Sequence, residues 1–232
     1  YLVVFIMMAI TIGFVSGFLV ADGSMLRAYD DSFQKYNIED GYFQTKKKLT
    51  PAQKEDIEKS DVKVYENFYI EQKLTNGSTV RFFKNRKEVD KVCLMKGKMP
   101  KKSGEIAVDR MYADNNELKV GDSVKSGKKT FKITGLVALS DYSALFQNNN
   151  DTMFDAVKFG VAIVTDKDFE ALNQVKVQYN YAWIYDKKPA TEKKEKKMAE
   201  DLMEDMADVV TIESFVPQYQ NQSIHFTGDD MG

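Results

Sequence analysis

The one histidine of the chain, His225, stands near its end, with no cysteine or carboxylate cluster at metal-ligand spacing around it. It reads as a solvated linker residue rather than a ligand or a base. Ser32–Lys35, Ser60–Lys63 and Ser126–Lys129 each fit S-x-x-K, the spacing of a serine nucleophile beside its lysine. A lysine-rich chain produces that spacing by chance, and the companion S-D-N and K-T-G elements are missing. Ser126-Gly127-Lys128-Lys129-Thr130 resembles a phosphate loop, yet the earlier glycine it requires is Asp122, and Lys128 is followed by lysine instead of serine or threonine. General acid–base chemistry has almost no inventory to draw on. The residues assign no catalytic group, no cofactor and no metal, and the chain is expected not to be an enzyme.

Binding chemistry has one candidate. Tyr179, Tyr181, Trp183 and Tyr185 occupy alternate positions of one strand and so share a face. They make either a stacking platform for a glycan, peptide or lipid headgroup, or a half-buried strand whose rings pack beneath a helix; packing is the commoner reason for such a row. The lysines between Lys193 and Lys197 read as the solvated face of a helix, with contact to anionic lipid as the alternative. Asn76-Gly77-Ser78 is formally a glycosylation sequon whose stronger reading is a turn.

The elements that must position these residues begin with Tyr1–Ala21, which contains no charged side chain; the first charge is Asp22. At about 1.5 Å per residue, roughly 20 residues cross the roughly 30 Å hydrocarbon core of a bilayer. Gly13, Ser16 and Gly17 would let a partner helix approach closely. A cleaved signal peptide has a shorter apolar region, about 7–15 residues, behind a basic flank. Length therefore favours a retained transmembrane helix over residues 1–22. Because the chain opens with Tyr rather than Met, more chain is expected before Tyr1. A formal net charge of −2 offers no basic field for nucleic acid. The single Cys93 cannot form an intramolecular disulfide, which suits a bacterial extracytoplasmic body.

Beyond the apolar run, Met25, Tyr29, Phe33 and Tyr36 lie on one helix face behind Ser24, which predicts a juxtamembrane helix over 23–37. Ile38 to Lys46 reads as a strand. Thr50-Pro51-Ala52-Gln53 starts a helix with a capping box and proline in its first turn, ending near Ser60. Val62, Val64, Phe68, Ile70 and Leu74 read as one strand, Asn76-Gly77 as a hairpin, and Val80 and Phe82 as the return. From Cys93 to Gln147 the chain reads as a compact, mostly β unit, with a turn at Ser126-Gly127 and a strand from Phe131 to Val137. A loop follows over Gln147–Asp151. Then come a strand at Val161–Val164, a helix capped by Thr165 carrying Phe169 and Leu172, and a strand from Tyr179 to Tyr185. A helix opened by Pro189 bears the stripe Met198, Leu202, Met206 and Val209, and a last strand runs from Val210 to Phe215. This order predicts an α+β fold: a ferredoxin-like α/β subdomain over 38–90 and 156–216, interrupted by a β-rich subdomain over 91–155.

One pattern in the middle goes beyond element types: Leu94-x-x-Gly97-x-x-Pro100, then Gly104-Glu105-Ile106, then Leu118-x-x-Gly121-Asp122, then Phe131-x-Ile133-x-Gly135. Four such pieces in order, after an apolar helix, resemble the extracytoplasmic core domain of FtsX/MacB-type ABC transporter permeases. Physically the pattern is structural, with glycines turning between short strands and the Gly-Asp pair closing a bend. The resemblance implies a porter-like α/β subdomain with a β-rich insertion, a lead into a second transmembrane helix over 217–232, and a location outside the bacterial plasma membrane. It also implies partners: an ATP-binding cassette subunit, a second permease half or homodimer partner, the lipid bilayer, and a peptide, lipid or cell-wall ligand, with no nucleic acid. The implied function is coupling of cytoplasmic ATP hydrolysis to movement outside the membrane, in export, lipoprotein release or signalling. The alternative is a single-helix, membrane-anchored receptor or adhesion module with no transport role.

Overall fold

The computed structural model describes residues 4–8, 10–11, 31–172 and 177–229. In chain order the elements are β1 (Gly41–Thr45), α1 (Pro51–Glu58), β2 (Val62–Glu66), β3 (Tyr69–Lys73), β4 (Thr79–Phe83), β5 (Val92–Gly97), β6 (Glu105–Asp109), α2 (Arg110–Asn115), β7 (Ser123–Ser126) and β8 (Lys129–Leu139). A 3-10 turn at Ser140–Tyr142 precedes β9 (Phe159–Val164), α3 (Asp166–Ala171), β10 (Tyr179–Tyr185), α4 (Glu192–Ala207) and β11 (Ile212–Pro217). A second 3-10 turn, Gln218–Gln220, leads into α5 (Gln222–Asp229). Residues 31–36 are helical, as are 4–8 and 10–11. Most of the expected transmembrane helix and of the 23–37 helix lies outside the described residues; among those described, no helix is long and apolar enough to cross a membrane.

Local chemistry starts the helices where side chains can serve the free amides. The Thr50 hydroxyl accepts the Gln53 N–H at 3.2 Å and the Gln53 side chain accepts the Thr50 N–H at 3.0 Å, closing the capping box of α1. Thr165 caps α3 through the Asp168 N–H. Pro189 does not open α4; the helix begins at Glu192 behind Thr191, whose hydroxyl takes the Lys194 N–H, and the proline lies in the preceding turn.

The first sheet has the order β11-β1-β10-β2, all antiparallel. Each helix crossover, β1-α1-β2 and β10-α4-β11, joins parallel strands with one strand of the other unit between them, the ferredoxin-like arrangement. Its core packs Phe43, Ile57, Val62, Val64, Tyr181, Trp183, Leu202 and Met206 together, with Met198 and Val209 at the margin. Burying Leu202 or Met206 stabilises by roughly 1.5–3 kcal/mol each.

The second sheet has the order β3-β4-β9-β6-β8-β5, with β7 beside the start of β8. The Asn76-Gly77 turn joins β3 to β4, and the Ser126-Gly127 turn joins β7 to β8. Phe82, Ile106, Phe131, Ile133, Val161 and Ile163 are among its fully covered core residues.

Two strand expectations differ from the fold. The run from Val62 to Leu74 is two strands in different sheets, because Asn67 breaks it. Its N–H bonds to the Asn180 carbonyl at 2.9 Å and its amide is buried in a polar cluster. β3, β4 and β9, grouped by the sequence with the ferredoxin-like part, pair within the second sheet, so the sheets divide at Asn67 rather than near residue 90. The return crossing is adjacent, since Gln178 and Tyr69 exchange backbone bonds. The middle, expected to be mostly β, also holds α2, capped by Asp109 through the Tyr112 N–H.

Candidate functional site

Residues 36–40 carry the chain from the 31–36 helix into β1, and 217–222 carry it from β11 into α5. Both pass the same end of the molecule. The Lys91 N–H bonds to the Tyr36 carbonyl at 2.8 Å, and the Gln218 N–H to the Asp40 carbonyl at 2.9 Å. The Gln218 side-chain amide donates to the Glu39 carbonyl. Asp40 accepts the Tyr185 N–H at 2.8 Å and pairs with the Lys188 ammonium. On the other sheet, the Ser143 hydroxyl donates to the Ser223 carbonyl at 2.6 Å, tying the end of β8 to α5.

A buried charged node fills the space between these segments. Arg86 grips Asp141 with both arms, at 2.6 and 2.7 Å, and donates to the Asn67 side-chain carbonyl at 3.2 Å. Asn67 passes the chain of bonds to Asp90 at 3.2 Å, and Asp90 accepts the Glu39 N–H at 2.9 Å. Asn221 donates to the Glu39 carboxyl at 3.3 Å. Arg86 thus holds Asp141 directly, Asp90 lies 3.9 Å from its guanidinium, and Glu39 joins the cluster through Asp90 and Asn221. Burial, reinforced by the Asp90 and Asp141 charges, pushes the Glu39 carboxyl well above the usual range. Burial and the nearby Asp141 charge push Asp90 up to about 7. The second Glu39 carboxyl oxygen and the Arg86 Nε are buried without a hydrogen-bond partner. The arrangement holds charge and protons at a joint; it ties together both sheets and both end segments.

Two hollows adjoin the node. A small one of about 40 Å³ between the sheets is walled by Glu39, Tyr42, Arg81 and Asn180. There the Arg81 guanidinium bonds Glu71, the Tyr142 hydroxyl and the Gln147 carbonyl, and lies 4.5 Å above the Tyr69 ring. The larger, of about 230 Å³, is mostly apolar and is walled by Phe33, Tyr36, Ile38, Met111, Leu139 and Ile224. Helix 31–36 and α5 both face it.

None of the node residues was singled out in the sequence. Arg86 and Asp90 sit in Lys84-Asn85-Arg86-Lys87-Glu88-Val89-Asp90-Lys91, a hydrophilic run in which Val89 is the only apolar member. Asn37 and Asp90 both adopt φ near +50°, which short polar side chains tolerate, a conformation visible only in the fold.

The aromatic row faces inward. Tyr181, Trp183 and Tyr185 are 1%, 0% and 4% exposed, so three of the four rings have no free face, and Tyr179 is half-buried. Trp183 stacks on Phe215 at 4.7 Å, and Tyr181 on Phe43 at 5.2 Å. His225 is not a solvated linker residue: it is half-buried on α5, with Nε2 covered and unpartnered. Among the described residues no three His, Cys, Asp or Glu side chains are grouped to hold a metal ion.

The motif residues Gly97, Pro100, Gly104, Glu105, Gly121, Asp122 and Gly135 gather around β8. Gly97 and Gly135 are cross-strand partners. A Cβ on Gly97 would come within 2.3 Å of the Thr134 carbonyl, and one on Gly135 within 2.6 Å of the Lys98 carbonyl. Glu105 accepts the Lys101 and Lys102 N–H groups at 2.8 and 3.0 Å, which hold its carboxyl below the usual range. Asp122 accepts the Lys119 N–H at 2.8 Å, and the Gly121 N–H bonds to the Ile133 carbonyl. Gly104 donates to Asp168 at 2.8 Å. Pro100, half-buried, lies in the loop between β5 and β6. The pattern therefore builds turns, with no ligand chemistry of its own.

No family model matches the chain, and no curated protein matches it. Among solved structures it is similar to the periplasmic region of MacB from Actinobacillus actinomycetemcomitans, at 14% identity and a TM-score of 0.41, over 82% of this chain and 92% of that one. It is also similar to the extracellular domain of the noncanonic ABC-type transporter YknZ from Gram-positive bacteria, at 11% identity and a TM-score of 0.37, over 75% of this chain and 98% of that one.

Proposed function

We propose that the chain is the extracytoplasmic domain of a bacterial ABC transporter permease subunit. In this reading a separate ATP-binding subunit dimerises on the cytoplasmic side, membrane helices continuing from the two ends of the domain move, and the domain shifts outside. The observation that carries the reading is the convergence of helix 31–36 and α5 on one buried node that also binds both sheets. Displacing either end segment displaces Glu39 or Asn221, and through Asn67, Arg86 and Asp141 it moves the sheets relative to each other. The sequence resemblance to FtsX/MacB-type permeases supports the same reading, with a porter-like first sheet and the segment after Pro217 leading to a second membrane helix. The work done is peptide, antibiotic or lipid export, lipoprotein release, or signalling.

The test places one cysteine at the exposed Met153, with Cys93 replaced by serine, in the intact permease beside its ATPase. A membrane-impermeant maleimide should label it in whole cells. A cysteine at Ser223 should change its labelling rate when the ATPase is trapped with ATP. Labelling only after lysis overturns the location. External labelling with no ATPase copurifying overturns transport in favour of a surface receptor or adhesion module.

A further inference from the structure

Residues 91–132 hold eleven lysines and arginines against five carboxylates, in a chain of net charge −2. The turns built by the motif bring six of these lysines together. Lys96, Lys98, Lys101, Lys102, Lys119 and Lys132 are all exposed, and the structure gives none of them an ion-pair partner. The Lys98 N–H bonds to Thr134, the Lys132 N–H to Gly104, and Lys132 stands across from Ser123. The two nearby acids, Glu105 and Asp122, are occupied by backbone amides. Leu94, Met95 and Val120 are exposed in the same segments as the lysines.

The opposite charge lies on α4. From Met198 to Glu213 the chain has six carboxylates and no lysine or arginine. Glu200, Asp201, Glu204, Asp205 and Asp208 are exposed; Asp201 meets Lys197 and Asp205 meets the Ser60 hydroxyl. Helix stability does not ask for this placement. Acids near a helix C-terminus oppose the macrodipole, and like charges four apart, as at Glu200 and Glu204, repel.

The two patches also match in height. The end of β8 at Leu139 and the start of β5 at Val92 lie by the 31–36 helix, and Lys132 is seven residues up the strand, about 23 Å. Lys196 lies over Tyr219 at that same end of the molecule, and Glu204 to Asp208 stand about 12–18 Å further along α4. Resting on the proposed permease reading, two copies anchored in one membrane would present these surfaces at similar distances from the bilayer. A two-fold axis makes each contact twice.

We infer that a second copy of this chain docks here, with the lysine patch around β8 of each copy against the acidic half of α4 of the other. The test uses the full chain in lipid vesicles, with self-association read by energy transfer between labelled copies. One variant carries Lys96→Glu, Lys98→Glu, Lys101→Glu and Lys102→Glu; the other carries Glu200→Lys, Asp201→Lys, Glu204→Lys and Asp208→Lys. Each alone should self-associate at least about tenfold more weakly at low salt. Mixing the two variants, or combining them in one chain, should restore association. Near-native association of either single variant, or no rescue in both combinations, overturns the proposal, and lysine-dependent capture of polyphosphate in the latter case would assign the patch to another polyanion. Copurification of the ATPase with each variant keeps this outcome separate from the permease reading, which fails only if the wild-type chain also lacks that partner.

Discussion

Replacing Arg86 with methionine removes the one cation that stands among Glu39, Asp90 and Asp141. Arg86 and Asp141 are each about 6% exposed at the side chain and joined by two short bonds, so the substitution strands a buried carboxylate rather than a surface pair. Breaking such a pair costs about 3–5 kcal/mol, and Asn67 also loses a donor worth about 1 kcal/mol. At a typical slope this moves the urea midpoint down by roughly 2 M. Trp183 is the only tryptophan and is wholly buried, so its fluorescence follows unfolding directly. The loss should be smaller at pH 5 than at pH 8, since the Glu39 and Asp90 carboxyls, already raised by burial, are protonated in acid and need the guanidinium less. Removing the partner as well, in Arg86→Met with Asp141→Leu, should recover most of the stability, because the penalty belongs to the unpaired charge. A cost below about 1 kcal/mol for Arg86→Met, or a double variant no better than the single, refutes the view of this node as a buried, mutually dependent charge cluster.

The raised carboxyls give the wild type a pH signature. Glu39, Asp90 at about 7 and Asp109 at about 6 hold protons in the folded state that the unfolded chain has already released above about pH 4. Folding stability should therefore fall as pH rises from about 4 through about 7; Asp90→Asn should flatten the part of that slope near pH 7 in equilibrium unfolding. Asp168 acts with the opposite sign. Burial would raise its carboxyl, but Lys129, Ser103, Gly104 and Thr165 override burial and lower it, so its contribution disappears as the solution is acidified below about pH 4. Asp168→Ala should cost about 3–5 kcal/mol in urea unfolding, because it strands Lys129 and opens the loop at Ser103. Gly135→Ala pushes a methyl against the Lys98 carbonyl and should cost about 1–3 kcal/mol, with faster amide exchange along β5. Thr50→Ala should cost about 1 kcal/mol through the lost cap of α1, measured the same way.

Much of the first sheet was legible because its determinants are local. The Thr50 capping box, the Met198-Leu202-Met206 stripe of α4 and the alternation of Tyr179 to Tyr185 are each written in neighbouring residues. The Asn76-Gly77 and Ser126-Gly127 turns are of the same kind. What failed was membership. Periodicity says that Ile70, Val80 and Phe82 face a core, and nothing local says which one. The switch at Asn67 depends on Arg86 and Asp90, about twenty residues downstream, and on Asn180, more than a hundred residues away. The node was illegible for the same reason. Charged residues in a hydrophilic run look solvated until distant segments close over them, and only the fold brings residues 39, 67, 86, 90, 141 and 221 into one space.

That asymmetry bears on how the joint works. Apolar packing between the sheets would let them slide at modest cost, since dispersion is weakly directional. A hydrogen-bonded charge chain has few acceptable geometries, because each partner pulled away leaves a buried polar group unsatisfied. Asn67 illustrates it: its carbonyl faces Arg86 and its amide faces Asp90, so turning the side chain over breaks both bonds at once. The junction is therefore stiff for small displacements and has one specific place to break. Under the proposed permease reading, a displacement arriving along helix 31–36 or α5 would meet that resistance at Glu39 and Asn221 before it reached either sheet core.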